Sequence, residues 1–127
     1  MVLPKFIDHI VFRVSELGST ERFYSLLLEQ TPQRTDDSVM YLVGDTRLFF
    51  TVSRQPQSMA YDKENVGINH LAFGVRRLQE LEAVRQRLDD AKIAHSGIKI
   101  DHYGQKEFIW LDDPDEMRVE FYLRAVS

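Results

Sequence analysis

The sequence predicts an α+β fold: two strand–helix–strand halves whose strands share one curved, mixed β-sheet. Three observations lead there. Residues 7–14, Ile-Asp-His-Ile-Val-Phe-Arg-Val, recur as residues 68–75, Ile-Asn-His-Leu-Ala-Phe-Gly-Val, with histidine third, phenylalanine sixth and valine eighth in both. Each copy runs into apolar residues at helical spacing. Each half then holds a hairpin around a tight turn, which requires antiparallel neighbours and argues against a wholly parallel α/β sheet.

The first strand spans residues 5–14, with Ile10, Phe12 and Val14 on one face and Ile7, His9, Val11 and Arg13 on the other. Gly18 lies in the following turn. Ser19 is the expected N-cap of a helix over residues 20–29, with Phe23, Leu26 and Leu27 at i, i+3, i+4 and Thr31-Pro32 ending it. Residues 33–38 read as a polar loop. Met40–Val43 and Arg47–Ser53 form a hairpin about Gly44-Asp45-Thr46.

Residues 54–66 carry neither periodicity and read as a linker, with module one at 5–53 and module two at 67–124 of a single domain, 1–127. In the second half, 68–75 is a strand. Leu78, Leu81, Val84 or Arg85, and Leu88 mark a helix over 77–91. Ile93–Ile100 reads as a short strand. Gln105–Leu111 and Met117–Leu123 pair across Asp112-Asp113-Pro114-Asp115-Glu116, where proline fixes φ at a turn corner and aspartates bond back to the backbone.

Composition narrows the function. At 127 residues, with 43% hydrophobic and 28% charged residues, the chain has the balance of one soluble globular domain. A net charge of −4 and no basic cluster argue against nucleic-acid binding. There are no cysteines, so disulfides, thiolate nucleophiles and thiolate metal ligands are excluded together. Met1-Val2-Leu3-Pro4-Lys5 begins no long apolar run, so the expectation is a cytoplasmic protein without signal peptide or membrane span. No Gly-rich phosphate loop or nucleophile elbow is present.

A lone strand histidine is usually exposed or hydrogen-bonded; the duplication singles out His9 and His70. Aligning the hairpins matches Arg47-Leu48-Phe49-Phe50 with Arg118-Val119-Glu120-Phe121, making Phe49 and Glu120 equivalents. A carboxylate flanked by Val119 and Phe121 is costly unless paired or coordinating. His9, His70 and Glu120 are therefore the expected ligands of a divalent metal: Fe2+, Mn2+, Zn2+, Ni2+ or Co2+. Three protein ligands leave positions open, which suits a catalytic centre. Arg47, Phe49 and Arg118 are candidate substrate contacts, and Tyr103 and Tyr122 candidate catalytic groups. Trp110 fits either a pocket wall or the core. His95 and His102 lack repeat partners and read as surface histidines.

With these residues in hand, the chain resembles the vicinal oxygen chelate superfamily, which contains glyoxalase I, extradiol dioxygenases and the fosfomycin- and bleomycin-resistance proteins. The carriers are Ile7-Asp8-His9-Ile10, the helix from Glu21-Arg22-Phe23-Tyr24 to Leu28, Ile68-Asn69-His70-Leu71-Ala72-Phe73, and Asp113-Pro114-Asp115 leading to Val119-Glu120-Phe121. The resemblance implies paired βαβββ modules cupping a metal and substrate cleft, a homodimer whose metal site takes ligands from one chain or two, and chelation of a small substrate through adjacent oxygens. The chain departs from the pattern at three places. Phe49 stands where glyoxalase I has a fourth ligand, and Glu29 and Glu116 stand where glycines are usual. The expected function is a metal-dependent enzyme, dioxygenase-like ahead of lyase, isomerase or fosfomycin-type transferase. The competing expectation is a metal-free, ligand-sequestering protein of the bleomycin-resistance type.

Overall fold

The computed structural model describes residues 2–55 and 61–125. The chain forms two compact units, one up to residue 59 and one from residue 60. The middle of the expected linker, 56–60, lies outside the described residues. Among the described residues, no helix is long and apolar enough to cross a membrane.

The first unit runs β1 (His9–Val14), α1 (Leu17–Leu28), β2 (Gln33–Arg34), β3 (Ser38–Val43) and β4 (Thr46–Val52). Its sheet has the order β1-β4-β3-β2, with β1 parallel to β4 and the other pairs antiparallel. Phe12, Val14, Val39, Tyr41, Leu48 and Phe50 point to the α1 side and are buried. Tyr24 of α1 stacks on Phe50 at 4.3 Å between ring centroids, and Phe12 stacks on Phe50 at 5.1 Å. These aromatic contacts dock the helix, and offset ring pairs add to the area they bury.

Helix α1 begins earlier than its apolar spacing suggested. Glu16, not Ser19, is the N-cap, its carboxylate accepting the Ser19 N–H at 3.2 Å. The extra turn shifts the buried stripe to Leu17, Thr20, Tyr24 and Leu27, leaving Phe23 and Leu26 half-buried. The helix ends in a Schellman turn: Gln30 N–H reaches Ser25 O, Glu29 N–H reaches Leu26 O, and Glu29 takes φ 50°. The segment read as a polar loop contains β2, a two-residue strand too short to show a period.

The second unit repeats the plan with β5 (His70–Val75), α2 (Leu78–Asp90), β6 (Lys99–Ile100), β7 (Glu107–Asp112) and β8 (Arg118–Leu123), in the order β5-β8-β7-β6. Again the first and last strands run parallel and the hairpin antiparallel. Leu81, Val84 and Leu88 of α2 are buried, as are Phe73, Ile109, Leu111, Val119 and Phe121 of the sheet. The Glu80 carboxylate caps α2 by accepting the N–H groups of Arg76 and Arg77 at 3.0 and 2.9 Å. Lys92, at φ 57°, closes α2 with a second Schellman turn.

The strand expected over Ile93–Ile100 is reduced to Lys99–Ile100. Ile93 is consumed in the helix-ending turn through its N–H to Leu88 O, and Gly97 at φ 75° breaks the extended run. Asp113 organises the β7–β8 turn, with Oδ1 accepting the N–H groups of Asp115 and Met117 at 2.8 and 2.9 Å.

Candidate functional site

Register makes the two units comparable residue by residue. In β1–β4, His9 lies across from Arg47 and Val11 from Phe49; in β5–β8, His70 lies across from Arg118 and Ala72 from Glu120. Phe49 and Glu120 are thus equivalent positions. The faces differ in what stands beside them. Val11 and Arg13 flank Phe49 and Thr51, whereas Ala72 and Gly74 flank Glu120 and Tyr122. A methyl group and a hydrogen leave space that longer side chains fill in the first unit, and a Cβ at Gly74 would meet nothing within 4 Å.

The space is a cleft of about 750 Å³ in the second unit, with His70, Arg118, Glu120 and Tyr122 among the side chains lining it. Among these, Glu120 is 7% exposed. Its Oε1 lies 3.6 Å from His70 Nε2 and its Oε2 lies 3.9 Å from Arg118 Nε. Both separations exceed a hydrogen bond, so a buried carboxylate is only loosely compensated.

Each histidine is oriented by the residue before it. Asn69 donates its amide N–H to Lys63 O at 2.9 Å, which turns its Oδ1 toward His70 Nδ1 at 2.7 Å. His9 Nδ1 likewise lies 2.8 Å from Asp8 Oδ2. Amide and carboxylate oxygens accept, so Nδ1 is the donor in both rings and Nε2 is the ring nitrogen turned away from that bond. An acceptor on the second ring nitrogen is the usual support of a metal-binding histidine.

The His70–Glu120 spacing suits a shared cation. Donors held about 2.1 Å from one ion stand about 3.0 Å apart at a 90° angle and about 3.6 Å apart at 120°. The 3.6 Å between Nε2 and Oε1 falls within that range. Among the described residues, no group of three His, Asp or Glu side chains gathers in one place. His9 belongs to the first unit, half-exposed beside Phe49 in an edge-to-face contact of 5.8 Å.

The other expected site residues divide. Arg118 and Tyr122 line the cleft with Glu120, and Tyr103 stands on its rim, 91% exposed. Arg47 and Phe49 lie on the first unit. Arg47 is half-exposed and 3.5 Å from Asp8 Oδ1, an exposed pair of small energetic weight. Trp110 backs a lining residue: the Arg118 guanidinium carbon lies 4.0 Å from its ring centroid. His95 is not a surface histidine. Its ring, 12% exposed, bonds Asp89 at 2.6 Å and accepts the Gly97 N–H at 2.9 Å. His102 is exposed.

Asp101 was not legible from repeat or periodicity. Its Oδ2 accepts the Tyr122 hydroxyl at 2.9 Å and the Gly104 N–H at 2.8 Å. The Gly104 bond and then the Tyr122 bond hold the Asp101 carboxyl below its ordinary range. The same pairing, followed by desolvation, pushes the Tyr122 phenol up. Gly104 packs so closely on the Tyr122 hydroxyl that a Cβ would collide with it.

Over 59 residues the chain is 34% identical to the protein YaeR of Escherichia coli (strain K12), a match spanning 46% of this chain and 43% of YaeR. The chain thus matches less than half the length of that curated relative. The glyoxalase family protein from Enterococcus faecalis superposes with a TM-score of 0.75 at 24% identity, covering 93% of this chain and 97% of that one. Lactoylglutathione lyase from Agrobacterium tumefaciens superposes with a TM-score of 0.71 at 16% identity, covering 94% of each chain. At these identities the structural likeness is one of fold. The family model spans residues 6–121, both histidine strands and all but the last residues of β8, and the chain belongs to the Glyoxalase/Bleomycin resistance protein/Dioxygenase superfamily.

Proposed function

We propose that the protein is a divalent-metal-dependent enzyme acting on a small oxygenated substrate, with His70 and Glu120 as ligands and His9 as the third. The observation carrying this reading is the His70–Glu120 pair: a carboxylate 9% exposed at its side chain, 3.6 Å from the Nε2 of an imidazole whose other nitrogen is engaged by Asn69. Fe2+, Mn2+, Zn2+, Ni2+ and Co2+ all suit an imidazole–carboxylate set. A bound ion supplies Lewis-acid polarisation of adjacent substrate oxygens. The chain's own residues do the rest. Asn69 fixes the imidazole, Ala72 and Gly74 leave the substrate room, and Tyr122 offers a neutral phenol beside Glu120. The reading extends to a homodimer, as family resemblance implies.

Three protein ligands favour dioxygenase-like chemistry, and Phe49, which cannot coordinate, makes a glyoxalase I-like reaction less suited. Oxygen uptake by protein reconstituted with Fe2+ or Mn2+, in the presence of a catechol panel, tests this. Metal-dependent uptake is expected; turnover of 2-oxoaldehyde–thiol adducts without oxygen uptake would move the assignment to lyase or isomerase. A second reading, sequestration of a planar ligand, is favoured by the aromatic wall of Phe108 and Tyr122, whose rings lie 6.2 Å apart. Tight binding of planar compounds that persists in Glu120→Gln and without metal would establish it.

A further inference from the structure

We propose that Arg118 is the anion-recognition element of this cleft, and that the substrate class is small 2-hydroxy or 2-oxo acids, a carboxylate adjacent to a second oxygen. The inference rests on the metal-dependent reading above and deepens it. Three buried side-chain polar atoms lack a hydrogen-bond partner among the described residues, Thr20 Oγ1, Tyr61 Oη and Arg118 Nε, and of these only Arg118 lines the cleft. The Nε itself is covered, but the Arg118 side chain is 23% exposed and lines the cleft, so a charged group with an unmatched donor stands in the cleft wall.

The surroundings define what would satisfy it. Trp110 stacks on the guanidinium at 4.0 Å, which fixes its plane and closes one face. The nearest charge, Glu120 Oε2, stands at 3.9 Å, too far to accept the Nε–H. His70 and Glu120 would hold a cation through Oε1, which would draw charge from the carboxylate and weaken its pull on the guanidinium. His70 lies directly across from Arg118 in the parallel register, so an oxygen held by Arg118 is adjacent to the ligand pair. The open positions at Ala72 and Gly74 give the substrate its room. A planar, always-charged fork recognises a carboxylate through two parallel N–H bonds. A neutral substrate leaves the donor unsatisfied and is disfavoured for that reason.

The test compares glycolate with glycolamide, which share size and chelating oxygens and differ in charge. Calorimetry on Mn2+-loaded wild type, Arg118→Gln and Arg118→Lys reads the affinities. Wild type is expected to prefer glycolate by at least about tenfold, and Arg118→Gln to weaken glycolate on the order of 10- to 100-fold. Glycolamide and Mn2+ affinities should stay within about twofold, and Arg118→Lys, which keeps the charge but loses the fork, should fall between. Equal weakening of both compounds, or a loss of Mn2+ affinity, would make Arg118 a support for Glu120 and overturn the proposal. A wild type that takes up no Mn2+ defeats the enzyme reading instead. The glycolate preference, measured on metal-free protein, then decides the Arg118 inference by the same criterion.

Discussion

Phe49 and Glu120 occupy one register position in two copies of the same module, each across from the residue two places after its strand-opening histidine. One copy put an aromatic ring there and the other a buried carboxylate. Phe49→Glu adds an acid beside His9 at a half-buried position. If His9 shares the site, divalent-ion affinity should tighten on the order of tenfold, since carboxylate count tunes affinity. Isothermal titration against Phe49→Leu, which adds no ligand, reads the difference. Unchanged affinity in Phe49→Glu would remove His9 from the ligand set.

Glu29 and Glu116 sit at φ 50° and 66°, a region that glycine enters without steric cost. The resemblance implies glycine at both positions, and here glutamate side chains carry the strain of that backbone. Glu29→Gly and Glu116→Gly should each stabilise the chain by about 1 kcal/mol, the strain relieved exceeding the entropy lost. Thermal melts should rise by about 3–6 °C for each. A drop in either melt would show that the glutamate side chain contributes more than its backbone costs.

The Asp101–Tyr122 hydrogen bond ties the loop after β6 to the cleft floor. Asp101 has its folded pKa lowered, chiefly by the Gly104 N–H, so its contribution is present above the ordinary value of about 3.9 and is lost as pH falls through the folded value. Tyr122 has its folded pKa raised, chiefly by Asp101, so its contribution is present below about 10 and is lost as pH rises through the folded value. Asp101→Asn should therefore lower the phenol pKa, read by ultraviolet titration of tyrosinate. Tyr122→Phe should raise the Asp101 pKa, read by carboxyl NMR. No movement in either titration would mean that the two groups are not coupled.

Gly104→Ala tests the same latch sterically, because its Cβ would collide with the Tyr122 hydroxyl. Overpacking of this kind costs about 1–3 kcal/mol. The melt should fall accordingly in Gly104→Ala and recover in part in the Gly104→Ala/Tyr122→Phe double variant, which removes the tightest contact and leaves the 2.9 Å approach to Asp101 Oδ2. A double variant no more stable than the single one would locate the damage elsewhere.

The parts visible in the sequence were those written in long or repeated patterns. The histidine strands, the second helix and the equivalence of Phe49 with Glu120 follow from duplication and alternation, which survive without knowledge of contacts. Asp8 and Asn69 stood in the repeated motif, but their role as acceptors for the histidine rings appears only in the structure. Asp101 left no trace, because a loop carboxylate acquires its role only when Gly104 and Tyr122 fold onto it. His95 misled for the same reason, its partner Asp89 lying on the preceding helix. Helix α1 started early because Glu16 reached the Ser19 N–H before Ser19 could cap, and β2 pairs over only two residues.

The central claim is that His70 and Glu120 hold a divalent ion, and metal stoichiometry tests it most directly. Wild-type protein, stripped and reconstituted, should retain one divalent ion per chain after dialysis. Glu120→Gln, which keeps the shape of the side chain and removes its charge, should lose affinity by at least about 100-fold, the scale for breaking a charged ligand contact. Elemental analysis of the two proteins side by side reads both quantities. Wild type without stoichiometric metal, or Glu120→Gln with wild-type occupancy, would contradict the account.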